Sequence, residues 1–244
     1  MIKMITPQWS IPTNVKAAST TRHGGCSLVP FASLNLGTHV GDDLETVVEN
    51  RRQLTEALAL PRAPFWLNQV HGTDVVALSA KHEPTHNSYD AAYTNEAGQV
   101  CVVMTADCLP ILFCSAQGDE VAVAHAGWRS LCYGVIENTL KHFKAPREEI
   151  AVWLGPAIGP AKFEVGAEVR TAFIQQAAQA ESAFLPYGEK YLANIYQLAR
   201  QRLAAEGVLN VSGGEYCTVT DENRFFSYRR DGQTGRMATL IWFS

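Results

Sequence analysis

The chain has 244 residues and a formal net charge of -4, with 47% hydrophobic and 18% charged residues, the composition of an ordinary globular protein of one large domain or two small ones. A mildly acidic chain with no lysine or arginine cluster on a predicted face has no electrostatic footprint for DNA or RNA, so nucleic acid is discounted as a partner. The opening MIKMITPQWSIP has no continuous apolar run and meets Pro7 and Pro12 early, so neither a secretory signal nor a membrane anchor is expected, and the expected compartment is the cytoplasm.

Taken in chain order, Val15–Arg22 reads as a strand that runs into a glycine turn at His23-Gly24-Gly25. The stretch HVGDDLETVVENRRQLTEAL is the clearest helix: Asp42 can cap it, Glu45 can complete a capping box, and Leu44, Val47, Val48, Leu54 and Leu58 fall on one stripe. At about 100° per residue Arg51 projects into that stripe and Arg52 toward solvent. An arginine there needs an anionic partner, either a buried carboxylate or a phosphate that suits its planar fork.

The run FWLNQVHGTDVVAL reads as two strands interrupted at His71-Gly72. Ser79–Tyr93, with His82, Pro84, His86 and Asn87, lacks periodicity and reads as an exposed loop. Val100–Met104 and Val121–Ala124 are short Val-rich runs that read as buried strands, delivering Cys108 and His125 to their exit loops. Past Gly127-Trp128-Arg129 the spacing of Leu131, Val135, Ile136, Leu140 and Phe143 is helical, and a helix N-terminus next to His125 would offer amides to an anion.

Ile150–Leu154 reads as a strand followed by a proline-cornered loop that could form a pocket wall. Helices are predicted over about Glu164–Gln176 and Glu189–Glu206. Arg224–Arg230, Asp231-Gly232 and Met237–Phe243 read as a terminal hairpin. On its first strand Phe225, Ser227 and Arg229 would share one face and Phe226, Tyr228 and Arg230 the other. No repeat, low-complexity tract or linker divides the chain, so residues 1–244 read as one domain.

Six cysteines (Cys26, Cys101, Cys108, Cys114, Cys132 and Cys217) lie apart without a CxxC, which suits reduced thiols, most of them small core residues. His71, Cys108 and His125 each follow a predicted strand and could converge at one sheet edge. Two imidazoles and a thiolate make a zinc site with one open position. The same residues also allow a Cys108 nucleophile, with His125 or His71 as base and Asp107 or Asp74 as orienter. A multicopper oxidase would need more histidine than the seven present, and His-x-His pairs, of which there are none.

The segments SLNLGTHVGDD, VVENRRQL, NQVHG, TADCLPILF, HAGWRS, GPAIGPAKFEVG and FFSYRRDGQTGRM, in this order, resemble the successive motifs of the YfiH-like, or laccase-domain, family of purine nucleoside phosphorylases. The resemblance covers nearly the whole chain. It implies an α+β protein, a layered α/β/β/α sandwich with mixed sheets, in which His71, Cys108 and His125 hold zinc, with copper the less favoured ion. It further implies phosphorolysis of adenosine, inosine and methylthioadenosine and deamination of adenosine, with a purine nucleoside and phosphate as partners. A homodimer is left open. On this basis Arg51 and Asp107 are the candidate catalytic residues, and Asn35, Gly127, Arg129, Phe226, Tyr228 and Arg229 the candidate substrate-binding ones. Removal of misincorporated serine from cell-wall precursors, an amide hydrolysis, is the alternative. Ser130 stands where the family more often has Gly, and Asn194 where Asp is usual.

Overall fold

In a computed structural model that describes residues 1–81, 86 and 88–244, three sheets carry the chain. Their strands are β1 (Met4–Ile5), β2 (Val15–Thr20), β3 (Val75–Ala77), β4 (Ala91–Thr94), β5 (Val100–Thr105), β6 (Leu109–Ser115), β7 (Val121–Ala126), β8 (Ile150–Leu154), β9 (Glu164–Val165), β10 (Phe184–Tyr187), β11 (Lys190–Ala193), β12 (Asn210–Gly213) and β13 (Met237–Phe243). The α-helices are α1 (Leu44–Ala57), α2 (Trp128–Tyr133), α3 (Val135–Leu140), α4 (Ala167–Gln176), α5 (Ile195–Ala205) and α6 (Tyr228–Asp231). None of them is long and apolar enough to cross a membrane.

One sheet has the order β1-β2-β13-β5 and is antiparallel throughout. The largest, β12-β8-β6-β7-β4-β3, is mixed, with parallel pairs at its two edges and antiparallel pairs between. A small third sheet, β10-β11-β9, completes the set.

Strand parity builds the layers, because successive side chains leave a strand on opposite faces. From β5, Val100 and Val102 join Leu240 and Trp242 of β13 under α1, where they meet Leu54. Their neighbours Cys101, Val103, Ile241 and Phe243 instead meet Leu112, Val121, Val123 and Trp153 between the two large sheets. On the far face of the mixed sheet, Ile111, Phe113, Ala122 and Ala124 pack against Leu131, Ile136, Leu198 and Leu203 of the helices. The result is the α/β/β/α sandwich that the resemblance implies. It also explains why these strands read as unbroken apolar runs, since both faces are buried.

Several expectations change. Asp43, not Asp42, caps α1, accepting the Thr46 N–H at 2.8 Å; Asp42 accepts from Ser27 Oγ and Asn35 Nδ2 instead. Leu44 and Val48 are exposed, and the buried stripe is Val47, Asn50 and Leu54. Asn50 belongs in it because its amide ties the helix to Cys26, Ser27 and Asn35. The run from Phe65 to Val70 forms no strand: the Gln69 amide takes the place of a ladder, exchanging 2.7 Å hydrogen bonds with both backbone groups of Met104. Tyr93 lies buried in β4 rather than in an exposed loop. His82, Pro84 and Asn87 of that expected loop lie outside the described residues.

The helix after Trp128 breaks into α2 and α3 at Gly134, whose φ is 105°. Glu164 and Val165 pair with β11 before α4 begins, and Lys190–Ala193 pairs with β10 before α5 begins. The terminal hairpin does not form. Both edges of β13 are taken, by β2 and β5, and Ser227 caps the short α6 by accepting the Arg230 N–H. The alternating faces expected for residues 224–230 therefore do not exist.

Candidate metal centre and its cavities

His125 lies within β7, not beyond it, opposite Pro110 of β6. It shares the parity of Val121 and Val123, so its ring enters the space between the large sheets rather than the helical layer. Cys108 sits in the turn between β5 and β6, directly after Asp107, which has a φ of 93°. His71 has a φ of 58°. The ligating atoms of His71, Cys108 and His125 lie within 4.8 Å of one another, and the two imidazoles meet edge to face with centroids 4.9 Å apart.

A buried carboxylate organises this group. Asp90 accepts the successive backbone N–H groups of Val70, His71 and Gly72 at 3.1, 3.0 and 2.6 Å, which holds the His71 turn in its left-handed conformation. The same carboxylate lies 2.8 Å from Nδ1 of His125. That contact commits Nδ1 as donor and leaves Nε2 as the free ligand atom. Burial raises the Asp90 pKa, but the His125 hydrogen bond and charge and the Gly72 and Val70 amides outweigh it, so the net shift is downward. For His125, burial opposes the imidazolium, yet Cys108 and Asp90 together hold its pKa up, to about 9.

Gly127, which caps α2, is glycine for a steric reason. A Cβ at this position would lie 2.6 Å from Nδ1 of His71 and 3.1 Å from Sγ of Cys108. The donor set of two nitrogens and one sulfur, oriented by a carboxylate and backed by this missing side chain, fits a zinc ion with one position open.

Two cavities flank Cys108. The larger, about 420 Å³, is lined by His39, Gln69, His71, Met104, Thr105, Ala106, Cys108, His125, Tyr228 and Arg236. The smaller, about 220 Å³, is lined by Asp107, Cys108, Trp128, Ile158, Phe163, Ile195, Tyr228 and Arg229. Tyr228 stands at the boundary and lines both.

The structure sorts the sequence candidates. The three ligands converge, Gly127 touches them, and Tyr228, Arg229 and Asp107 line a cavity. Asp107 has both oxygens engaged, one by the Thr218 hydroxyl at 2.5 Å and the other by the Arg229 N–H at 2.7 Å, so it holds the segment that carries Tyr228 and Arg229. Arg51 lies outside both linings; its Nε and Nη2 donate to Leu36 O, and its guanidinium stacks 3.9 Å from the Trp66 ring. The expected anionic partner is thus replaced by a carbonyl and a ring.

Asn35 is fully buried, with its amide bound to Gly37, Asp42 and the backbone N–H of Arg236. Phe226 is fully buried beside Phe225 and Met237, and Arg129 is exposed over the Trp128 ring. Asn194 caps α5 by accepting the Gln197 N–H at 3.1 Å, a role Asp would fill equally well. Ser130 is buried in α2 and its Oγ makes no hydrogen bond among the described residues.

Asp90, His39, Gln69, Trp128 and Arg236 escaped the sequence reading. Trp128 could have been found as the middle of HAGWRS. His39, Gln69 and Arg236 likewise lie inside the quoted motifs SLNLGTHVGDD, NQVHG and FFSYRRDGQTGRM; Asp90 stands in the stretch Ser79–Tyr93, which lacks periodicity.

Residues 16–244 match the protein family described as multi-copper polyphenol oxidoreductase laccase. The chain belongs to this family. Among relatives of this laccase-domain protein, purine nucleoside phosphorylase YfiH of Escherichia coli is 57% identical over 242 residues, spanning 99% of each chain. A purine nucleoside phosphorylase of Haemophilus influenzae is 50% identical over 245 residues, spanning 99% of this chain and 100% of that one. The crystal structure of Neisseria meningitidis protein NMB0706 superposes with a TM-score of 0.94 at 47% identity, covering 99% of each chain. The laccase-domain fold is thus shared along nearly the whole chain.

Proposed function

We propose that the protein is a zinc-dependent purine nucleoside phosphorylase that also deaminates adenosine, with adenosine, inosine and methylthioadenosine as its nucleosides. The observation that carries this reading is the His71–Cys108–His125 triad opening onto one aromatic and one cationic cavity. The names of the relatives that match nearly the whole chain support it.

In this reading the purine enters the smaller cavity. Trp128 and Phe163 offer ring faces, and Ile158 and Ile195 close the apolar walls. Tyr228, shared by both cavities, stands where the ribose would pass between them. Arg229, whose guanidinium lies over the Phe163 ring, is placed to offset the charge that develops on a departing purine. Zinc, when bound, would supply Lewis acidity and activate water. The N/S/N donor set favours zinc over a multicopper arrangement, which calls for many more histidines.

Purified protein incubated with adenosine and phosphate should yield adenine and ribose 1-phosphate, with inosine from deamination, and His71→Ala should lose all three. Products at equal levels in the variant would refute the reading. Metal analysis should find about one zinc per chain, as one three-ligand site predicts. Chelation should make one further thiol, Cys108, open to alkylation; a Cys108 that reacts fully before chelation would point to the nucleophile instead.

A further inference from the structure

Two basic side chains outside the metal triad, Arg236 and His39, line the larger cavity. Arg236 reaches it from the start of β13, and its Nη1 donates only to the carbonyls of Thr234 and Gly235, each at 3.0 Å. Its guanidinium carbon lies 5.9 Å from the Tyr228 ring. His39 lines the same wall. Behind them Arg51 has Leu36 O, Met104 Sδ and the Trp66 ring as its contacts.

Among the described residues neither arginine forms an ion pair with a carboxylate. Cys108 and then Asp107 support the Arg236 charge against its burial, and Asp107 is already engaged by Thr218 and Arg229. Burial lowers the pKa of Arg236 and brings that of Arg51 down to about 10. His39 is lowered by burial and then by both arginines, so the three groups act on one another. Half-buried arginines are ordinarily paired; Arg236, which lines the cavity with no ion-paired carboxylate among the described residues, leaves a place there for an anionic ligand, and Arg51, held outside the lining by Leu36 O and the Trp66 ring, adds only its charge.

We propose that Arg236 and His39, with Arg51 behind them, form an anion subsite of the metal-centre cavity whose occupant is the orthophosphate consumed in phosphorolysis. The identity of the occupant rests on the phosphorylase reading; the anion site itself rests on the charge and geometry. Arg236 offers a planar fork for two phosphate oxygens. In the step this subsite serves, an oxygen of hydrogen phosphate forms the bond to ribose C1′ and the C1′–N9 bond breaks. Its electron pair leaves with the purine, and the phosphate proton ends on the purine nitrogen, so ribose 1-phosphate and free base account for every atom.

The test titrates orthophosphate, and separately adenosine 5′-monophosphate, into wild type, His39→Gln, Arg236→Gln and Arg236→Lys at equal zinc content, with calorimetry for Kd and phosphate-dependent adenine release for KM. His39→Gln and Arg236→Gln should weaken orthophosphate about 10- to 100-fold in both Kd and phosphate KM, the loss expected for a charged hydrogen bond, and Arg236→Lys should recover part of it. His39 is exposed, so its variant is expected to fold even if Arg236→Gln does not. Orthophosphate affinity unchanged in His39→Gln and in whichever Arg236 variants fold would overturn the subsite. Binding of the nucleotide but not of orthophosphate would overturn the assignment of its occupant. Absence of adenine release in wild type would count against the phosphorylase reading, while the calorimetric Kd values would still decide the anion site.

Discussion

The Asp90 carboxylate lies 2.8 Å from Nδ1 of His125 while also receiving the backbone N–H of His71 at 3.0 Å. One side chain therefore orients two of the three ligands. Asp90→Asn keeps the shape but places an amide where four donors converge. Zinc affinity, measured by chelator competition, should fall about 10- to 100-fold, the usual cost of removing a ligand's hydrogen-bond partner. An unchanged affinity would mean that the triad is oriented without Asp90.

Gly127→Ala should strip the metal centre without unfolding the protein. The new methyl would sit 2.6 Å from Nδ1 of His71, closer than any carbon tolerates, and a shift of about 1 Å at a ligand is enough to spoil a coordination site. The expected result is a sharply lower zinc-to-protein ratio with circular dichroism as in wild type. Full zinc content in the variant would show that the His71 turn can yield.

Asp107 is a positioning residue on this geometry rather than a proton-transfer group. In Asp107→Asn the amide oxygen can accept the Arg229 N–H and the amide nitrogen can donate to Thr218, so kcat should stay within about tenfold and its pH profile should not move. Asp107→Ala loses both hydrogen bonds and should cost about 1–3 kcal/mol of stability in urea unfolding. A large loss of kcat in Asp107→Asn at wild-type stability would restore a chemical role.

Asn194 does its work at the start of α5 by accepting the Gln197 N–H. Asn194→Asp should leave stability and turnover unchanged, whereas Asn194→Ala should lower stability by about 1 kcal/mol, read as a small drop in Tm. Higher turnover in Asn194→Asp would show that a carboxylate there takes part in the reaction.

The buried strands were legible because each is sealed on both faces. Val100–Thr105 sends alternate residues to α1 and to the inter-sheet core, so the whole stretch must be apolar and stands out at any register. The same logic hid the ends of elements. Lys190–Ala193 has a helix-like pattern that continues into α5, yet it is a strand because β10 and β9 supply its hydrogen bonds. Met237–Phe243 was a strand by composition, but its neighbours are β2 and β5; the run from Phe225 to Arg230, with no edge left to pair with, turned under the Ser227 cap instead.

From its residues alone the sequence determined the apolar strands, the helical stripe containing Leu54 and the presence of one thiol and two imidazoles at positions that could meet; the family resemblance named them as ligands. Only the tertiary structure decided what surrounds them. Asp90 reaches His125 across 35 residues and Arg236 reaches Asn35 across 201, and no local periodicity encodes such a meeting. A buried apolar run is set by its own composition, because water rejects it wherever it lies. A polar side chain acquires its role from the partners that packing brings within hydrogen-bond reach, and those partners are chosen by strand order and register.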